Sequence, residues 1–362
     1  MLPYLLLFIL MCICATTDIY PLRNRWIITS ITFIVALGMI ILRDELGGSD
    51  YFMYKLFYSK VVPLADYLNG QYEPFYRTKS FEVGFVTLCS AIKSFDFTKG
   101  PYLMIFVIST FTLSTLWLSL KRYTPYIFIA LLFYLYKAYF WHEFTLLRQS
   151  ISIALFVFSI RYIKEKKYVK YIFINLIGVS MHASAIILIP LIFILNKKWK
   201  DTDIFILICI AFFLNMAGSY LFTFAMKIAG IVGLESRFGF YLYNERAINP
   251  LNFIEIMIIL FISLFYRKQY EKEEPYFNIF LNMFVFSSFL IITFSSFEIF
   301  ARFKEYFVIS YMILISYIIG DIKNNRTKIA AFSLFCAYVL LGYVRYLLTF
   351  DAGGLIPYKW IL

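Results

Sequence analysis

The sequence has little charge, little histidine and no paired pattern of cysteines. Only 15% of its 362 residues are Asp, Glu, Lys or Arg, against roughly 25% in an average soluble domain. The five cysteines are scattered, and the only two histidines are His142 and His182. These shortages argue against a soluble globular domain, a disulfide framework and a Cys/His metal site.

The common cofactor and hydrolase motifs are also missing. The sequence contains no Walker loop, no G-x-G-x-x-G, no nucleophile elbow and no metal-binding motif. We therefore expect no cofactor and no metal, and nothing suggests a nucleic-acid partner.

Apolar runs are what the chain does have, since 62% of its residues are hydrophobic and 21% are aromatic. These runs recur over the whole length and can cross a bilayer core of about 30 Å. We predict an all-α, polytopic helix bundle of about 12 transmembrane helices, forming a single integral membrane domain over 1–362. The N-terminal run lacks a basic leader and a clean cleavage site, so we keep it as the first helix. The predicted spans lie near 2–17, 26–42, 101–120, 125–141, 145–163, 168–182, 183–196, 203–224, 251–266, 276–297, 303–320 and 328–349.

Short loops rich in Lys and Arg predict the orientation. Such loops stay cytoplasmic, and 161–170 and 196–200 are the clearest of them. Both termini then lie outside, provided that 81–95 forms an interfacial or re-entrant helix and not a full span. The outer face gains a periplasmic segment at 43–100 and a periplasmic loop at 225–250, where a site facing the periplasm would be built.

Charged residues interrupt the apolar run "FWHEFTLLRQSISIALFVF" at 140–158, which contains His142, Glu143, Arg148 and Gln149. A charge inside a membrane helix costs about 2.5–3.5 kcal/mol on insertion scales, so it usually faces a bundle interior or a cavity. On one helix, Arg148 and Ser152 would share a stripe, while His142 and Gln149 would share another. The competing interpretation is a satisfied polar network with a snorkelling interfacial arginine.

His182 and Arg302 are the other intramembrane candidates. His182 is predicted at the tip of a short hairpin among small residues, where it could hydrogen-bond a sugar, act as a base or meet a phosphate; a lone histidine can equally be structural. Arg302 presents a fork that suits a diphosphate, and it is spaced to pair with Glu298. The outer segments add further polar candidates: Arg43, Asp50, Arg77, Glu82, Arg237 and Tyr358.

Short motifs along the chain resemble the EpsG-like branch of the Wzy-type polysaccharide polymerases. The resemblance rests on their order and spacing and covers most of 43–358. The motifs are "GSDYFMYKLFY" (48–58), "FEVGF" (81–85), "LRQSISIALFVFSIRYIKEKKYVKY" (147–171), "SMHASAIILIPL" (180–191), "RFKEYF" (302–307) and "PY" (357–358).

The resemblance implies a glycosyltransferase C-type fold in the bacterial inner membrane, with the active site facing the periplasm. The implied reaction joins oligosaccharide repeat units carried on undecaprenyl pyrophosphate into O-antigen or capsular polysaccharide. Arginines would stabilise the pyrophosphate leaving group, and His182 or Glu82 would act as the base. Membrane lipid and a chain-length regulator protein are the other implied partners. The predicted catalytic residues are Arg148, His182, Arg302 and Glu82, and the predicted substrate-binding residues are Arg43, Asp50, Arg77, His142, Glu143, Gln149, Arg237, Glu298 and Tyr358.

Three alternatives stay open at this point. The first is an O-antigen ligase or a glycosyltransferase that uses a monophosphate sugar carrier, either of which would share most of these features. Enzymes with a monophosphate carrier often have an acidic pair at the end of the first long helix, and "LRDE" at 42–45 is compatible with that. A glycolipid transporter or flippase often shows internal repeats, which are not evident in this sequence. The last alternative is a membrane protein with a structural role alone.

Overall fold

The computed structural model describes residues 1–20, 22–74, 81–98, 100–218, 220, 223, 227, 250–295 and 302–361. This part of the chain is helical, and the extended pairing found in it is an isolated antiparallel bridge between Arg43 and Trp360. The predicted all-α class is therefore confirmed. Most of the predicted 225–250 loop lies outside the described residues.

The chain divides into two compact units, one made of Met1–Pro190 with Ile319–Leu362 and the other of Leu191–Ile318. The α-helices in the described residues are α1 Leu2–Ile19, α2 Arg25–Ile41, α3 Gly48–Lys60, α4 Leu64–Leu68, α5 Val83–Lys93, α6 Tyr102–Tyr123, α7 Ile127–Tyr134, α8 Leu147–Lys164, α9 Tyr168–Met181, α10 Asp201–Met216, α11 Pro250–Phe265, α12 Arg267–Glu273, α13 Phe277–Thr293, α14 Val308–Gly320 and α15 Asn325–Thr349.

In the first unit α8 packs against α6 and α9, and α5 also packs against α9 and α6. Small residues allow this close approach, as in other membrane bundles. Ser152 of α8 donates a hydrogen bond of 2.7 Å to the carbonyl oxygen of Gly178 on α9. Gly84 of α5 lies so close to α9 that an added Cβ would be 2.7 Å from the carbonyl oxygen of Ser180. The predicted stripe position of Ser152 is thus a helix contact.

A carboxylate from α1 caps the N-terminus of α7. Asp18 accepts hydrogen bonds from the backbone N–H groups of Phe128 at 2.6 Å and Ile129 at 3.0 Å. These are donors of a first helical turn that have no partner inside the helix, and a carboxylate suits the positive end of the helix dipole.

The 140–158 run is not one continuous helix. After α7 the chain forms two π-helical segments, Leu135–Tyr139 and Trp141–Thr145, and then breaks at Leu146 before α8. The prediction that His142 and Gln149 share a helical stripe is therefore wrong, because the turn between them does not have the α-helical repeat. π-helical turns are frequent at functional sites.

The predicted division at His182 is confirmed. α9 ends at Met181, His182 has extended backbone angles, and a 3-10 segment runs over Ala183–Phe193. The helix predicted at 81–95 is present as α5, while its depth in the bilayer stays a prediction.

In the second unit, α10, α11 and α12 pack on α13. Asn282 of α13 donates a hydrogen bond of 2.9 Å to the carbonyl oxygen of Leu195. Arg267 bridges Asp201 and Glu271, with 2.7 Å between each pair of charged atoms.

By length and composition, the described residues contain four helices able to span a membrane, or five if the bent pair Pro250–Phe265 and Arg267–Glu273 is one span. The four are Leu2–Ile19, Tyr102–Tyr123, Arg302–Gly320 and Asn325–Thr349. Shorter apolar helices are also present, among them Arg25–Ile41 and Phe277–Thr293. The chain is thus a helical membrane protein, and the count of about 12 spans stays a prediction.

Candidate active site

Three of the predicted catalytic residues meet at one carboxylate, that of Glu82. Its Oε2 lies 2.5 Å from Nη1 of Arg148 at the start of α8. Its Oε1 accepts a hydrogen bond of 2.9 Å from the N–H of Ala183 and lies 3.3 Å from Nδ1 of His182. Glu82, the residue before α5, therefore joins α8 to the break after α9.

Glycine and serine bring these elements together. Gly84, two residues after Glu82, leaves room for Ser180, two residues before His182. Ser152, one turn after Arg148, is hydrogen-bonded to Gly178 on α9. The two contacts flank the Glu82 carboxylate, and they hold α5 and α8 on the same end of α9.

Arg148 has contacts on several sides, but its side chain is not fully buried. Its guanidinium carbon lies 4.0 Å from the centre of the Phe81 ring, a cation–π distance. The hydroxyl of Tyr54 on α3 forms a further hydrogen bond with it. The side chain keeps 18% of its exposure. A cation in the first turn opposes the helix dipole, and the Glu82 carboxylate offsets that cost.

Glu82 is held as an anion. Burial by itself would raise the pKa of this carboxyl, but the adjacent His182, the charge of Arg148 and the N–H of Ala183 outweigh burial and lower the pKa to about 2. A carboxylate with so low a pKa is a weak base. It orients its neighbours better than it takes up protons.

His182 presents Nδ1 toward this carboxylate. The 3.3 Å approach is an ion-pair distance, although the atoms are not aligned as a straight hydrogen bond. The histidine side chain is 15% exposed. A carboxylate beside one ring nitrogen favours the proton on that nitrogen, so Nε2 is the atom able to accept a proton from a ligand.

A second polar cluster, centred on Arg43, lies in the same unit. Arg43 is fully buried, and it donates from Nη1 to the carbonyl oxygen of Glu143 at 2.8 Å and from Nη2 to that of Phe144 at 3.1 Å. Its guanidinium carbon lies 4.1 Å from the centre of the Phe144 ring. Gly47 fits against the carbonyl group of Phe144, where a side chain would collide. The 43–47 segment is thereby fastened to the π-helical turn that precedes Arg148.

The side chains of His142 and Glu143 are also buried in this cluster. Glu143 accepts hydrogen bonds from Thr112 at 2.9 Å and from Tyr134 at 3.2 Å. The hydroxyl of Tyr134 also lies 3.4 Å from Nδ1 of His142. Hydroxyl groups of α6 and α7 thus satisfy these side chains, whose part in substrate binding stays a prediction.

The C-terminal tail contacts the same region. The hydroxyl of Tyr358 donates to the carbonyl oxygen of Met39 at 2.7 Å, and the N–H of Asp44 donates to the carbonyl oxygen of Lys359 at 3.0 Å. Tyr358 is buried. The structure thus gives a packing reason for this tyrosine, which the sequence offered only as a candidate ligand.

The other predicted residues are distributed differently. Gln149 is buried in the first turn of α8, beside Arg148, and Asp50 is half-buried on α3. Arg302 belongs to the second unit, where it is half-buried at the start of the span Arg302–Gly320. Three predicted residues lie outside the described part of the chain: Arg77, Arg237 and Glu298.

Sequence reasoning missed the residues that shape the Glu82 site. Phe81 and Gly84 lie in the quoted "FEVGF" motif, and Tyr54 lies in "GSDYFMYKLFY", but neither motif by itself assigns them a contact. The useful signal was the glycine two residues after an acid in an apolar helix, because glycine costs stability there and usually marks a close approach.

One comparison with known proteins gives a match. The model of the EpsG family matches residues 25–360, which is nearly the whole chain. No curated protein and no solved structure matches the sequence. The matched region contains Glu82, Arg148, His182 and Arg302. The chain belongs to the EpsG family.

Proposed function

We propose that this membrane protein is a polymerase that joins undecaprenyl-pyrophosphate-linked oligosaccharide repeat units at the periplasmic face. The observation that carries the proposal is the Glu82 carboxylate, which contacts both Arg148 and His182. One anion thus holds a phosphate-binding cation beside a proton acceptor, and family membership supplies the reaction class.

In the proposed reaction, a hydroxyl oxygen of the acceptor sugar attacks the anomeric carbon of the donor glycan. The bond from that carbon to the pyrophosphate oxygen breaks as the new glycosidic bond forms, which predicts inversion. Undecaprenyl pyrophosphate leaves with the electron pair, and preorganised cations stabilise the charge that develops on its pyrophosphate group. We assign this role to Arg148. Arg302, which belongs to the second unit, stays a predicted catalytic residue that the complementation below tests separately.

His182 is the proposed general base. Nε2 takes the proton of the acceptor hydroxyl, while Glu82 holds Nδ1 and stabilises the imidazolium that results. The pKa of about 2 argues against Glu82 as the base. Its proposed role is to position His182 and to keep Arg148 in place until the pyrophosphate group arrives.

The wider proposal retains the predicted setting. It comprises a glycosyltransferase C-type bundle of about 12 spans in the bacterial inner membrane, both termini outside, and a chain-length regulator as partner. Labelling of single cysteines placed in 161–170 and in 61–70 tests the orientation, since only the second set should react with an impermeant reagent in intact cells.

Complementation tests the function. A strain that lacks its own polymerase receives the wild-type chain or one of the variants Arg148→Ala, His182→Ala and Arg302→Ala, and glycan ladders are read with protein levels checked. We expect a ladder with the wild type and a single repeat with each variant. Arg161→Ala, on the predicted cytoplasmic end of the same helix as Arg148, is the matched control and should keep the ladder.

Two results would overturn the proposed reaction, and a third would overturn only the assigned site. If the wild type restores no ladder but transfers single units to a lipid A core acceptor, the protein is a ligase; if it only moves the glycolipid across the membrane, it is a transporter. If the ladder forms but survives all three substitutions at wild-type length, the reaction class stands and the assigned site fails.

A further inference from the structure

A groove of about 620 Å³ opens on the face of α3 that points away from Arg148. One wall is the stripe Phe52, Lys55, Leu56 and Ser59, which are three or four residues apart and so share a helix face. Lys93, at the end of α5, and Thr98 contribute to the other wall. The volume falls in the range of small-molecule sites, roughly 300–1,000 Å³.

The groove is separate from the candidate active site. The opposite face of α3 carries Tyr54 and Phe57, whose rings pack on Phe81 and Phe85. Tyr54 is also the α3 residue that contacts Arg148. The helix therefore lies between the reaction centre and the groove, and a ligand in the groove would not touch the reacting atoms.

The groove combines an open apolar surface with polar groups. Phe52 is 50% exposed and Leu56 is 47% exposed. Lys55 is exposed beside them, and Nζ of Lys93 lies 4.6 Å from the centre of the Tyr58 ring. The groove offers an exposed aromatic ring beside ammonium donors and hydroxyl oxygens that can accept hydrogen bonds. This combination suits a sugar, whose C–H face is apolar and whose edge is rich in hydroxyls.

The charge of the groove is moderate. Asp96 accepts hydrogen bonds from the N–H and the hydroxyl of Thr98 at 2.8 Å and 2.7 Å. These bonds, with the nearby Lys93, hold the pKa of Asp96 below its usual range against the effect of its partial burial. Asp96 is not itself a lining residue, but its carboxylate lies beside the groove and offsets the charge of Lys93. Anionic lipid headgroups favour larger clusters of like charge, so a hydroxyl-rich ligand fits better.

We propose that this groove, lined by Phe52, Lys55 and Lys93, binds a segment of the polysaccharide chain away from the reaction centre. The inference rests on the proposed function, because the glycan is the one the enzyme makes. Holding the chain at a second point keeps its growing end at a high effective concentration near the active site. The groove thereby favours repeated additions to one chain over release.

The test measures product length apart from the rate of a single addition. Phe52→Ala/Lys55→Gln changes two exposed side chains, so the full chain should fold; Lys93→Gln tests the other wall. Lys60→Gln is the matched control, since Lys60 is exposed on the same helix and does not line the groove. The proteins are compared in nanodiscs of phosphatidylcholine and in nanodiscs that also contain phosphatidylglycerol.

We expect both groove variants to shorten the modal product by at least about twofold, with an unchanged initial rate of first addition. Lys60→Gln should make wild-type lengths, and the difference should persist in pure phosphatidylcholine. A difference that appears only with phosphatidylglycerol identifies a lipid headgroup as the occupant and overturns the inference. Unchanged length, or equal shortening by Lys60→Gln, also overturns it.

A failed proposed function gives a different result. In that case the wild-type protein makes no polymer at all. If only this inference fails, the wild type makes a ladder and the groove variants make products of the same length.

Discussion

Arg43 and Arg148 lie in the same unit and on the same predicted outer side, yet their guanidinium groups have different partners. Arg43 is fully buried and donates to two backbone carbonyl oxygens. Arg148 keeps 18% exposure and pairs with the Glu82 carboxylate. In both arginines Nε has no acceptor among the described residues. The two therefore differ in whether the partner is charged and in how far the side chain is exposed.

Arg43 thus has a structural role, fastening one segment of the chain to another, whereas Arg148 could bind a substrate anion. Backbone carbonyls are neutral groups that cannot move away independently of the fold, so Arg43 is tied to the 143–144 turn. A carboxylate is an anion on a side chain, and an incoming phosphate can take its place beside the guanidinium with a similar charge-assisted geometry. Burial of an arginine by itself therefore does not indicate catalysis; the nature of its partner does.

The largest expected effect on stability is that of Arg43→Met. The substitution leaves the carbonyl groups of Glu143 and Phe144 without donors, and each buried group left so costs about 1–3 kcal/mol. We expect a lower thermal midpoint in nanodiscs and lower expression, with Arg43→Lys intermediate. A midpoint equal to that of the wild type would contradict the fastening role.

Arg148→Ala should show the reverse pattern. Loss of one preorganised charge partner typically lowers the rate by about 10²–10³-fold. The thermal midpoint should change much less than in Arg43→Met, because Glu82 keeps its contacts with His182 and the N–H of Ala183. Polymerisation rates and unfolding curves on the same preparations check this, and an equal loss of stability in both variants would remove the distinction between the two arginines.

Glu82 makes a pH-dependent contribution to this contrast. Because its pKa is lowered to about 2 from an ordinary value of 4.5, the carboxylate stabilises the folded state above pH 4.5, and that stabilisation is lost as the pH falls toward 2. We expect the wild type to lose at most about 3 kcal/mol over this window, while Glu82→Gln loses none of this contribution. The free energy of unfolding of both proteins, measured at pH 7 and pH 3, tests this. Equal losses of stability in the wild type and in Glu82→Gln would show that Glu82 is not the group responsible.

The smallest expected effect is that of Gly84→Ala. This substitution sharpens the comparison of the two arginines because it should displace Glu82, the partner of Arg148, and leave the partners of Arg43 in place. The new Cβ would meet Ser180, and such overpacking typically costs about 1–3 kcal/mol. α5 should shift, and activity should fall more than stability because Glu82 moves relative to His182. Gly38→Ala is the control, since a Cβ there meets nothing within 4 Å. Wild-type activity in Gly84→Ala would show that the α5–α9 approach does not set the site.

Different parts of the site were predictable to different degrees. Arg148 and His182 stand out in sequence because a charge or an imidazole in an apolar run is costly wherever it points. Their common contact with Glu82 was not predictable, since Glu82 lies 66 residues before Arg148 in the chain and farther still from His182. The break at Leu146 was missed for a related reason: apolar periodicity does not separate an α-helix from a π-helical turn.

The sequence by itself determined the helical membrane class and the places where charge interrupts it, because hydropathy, helix length and the cost of a buried charge are properties of short segments. It also marked the break at His182. Only the tertiary structure decided that Glu82 pairs with Arg148 while Arg43 is bound by backbone carbonyls. Hydrogen-bond partners are chosen by which surfaces pack together, and that depends on contacts between segments far apart in the chain.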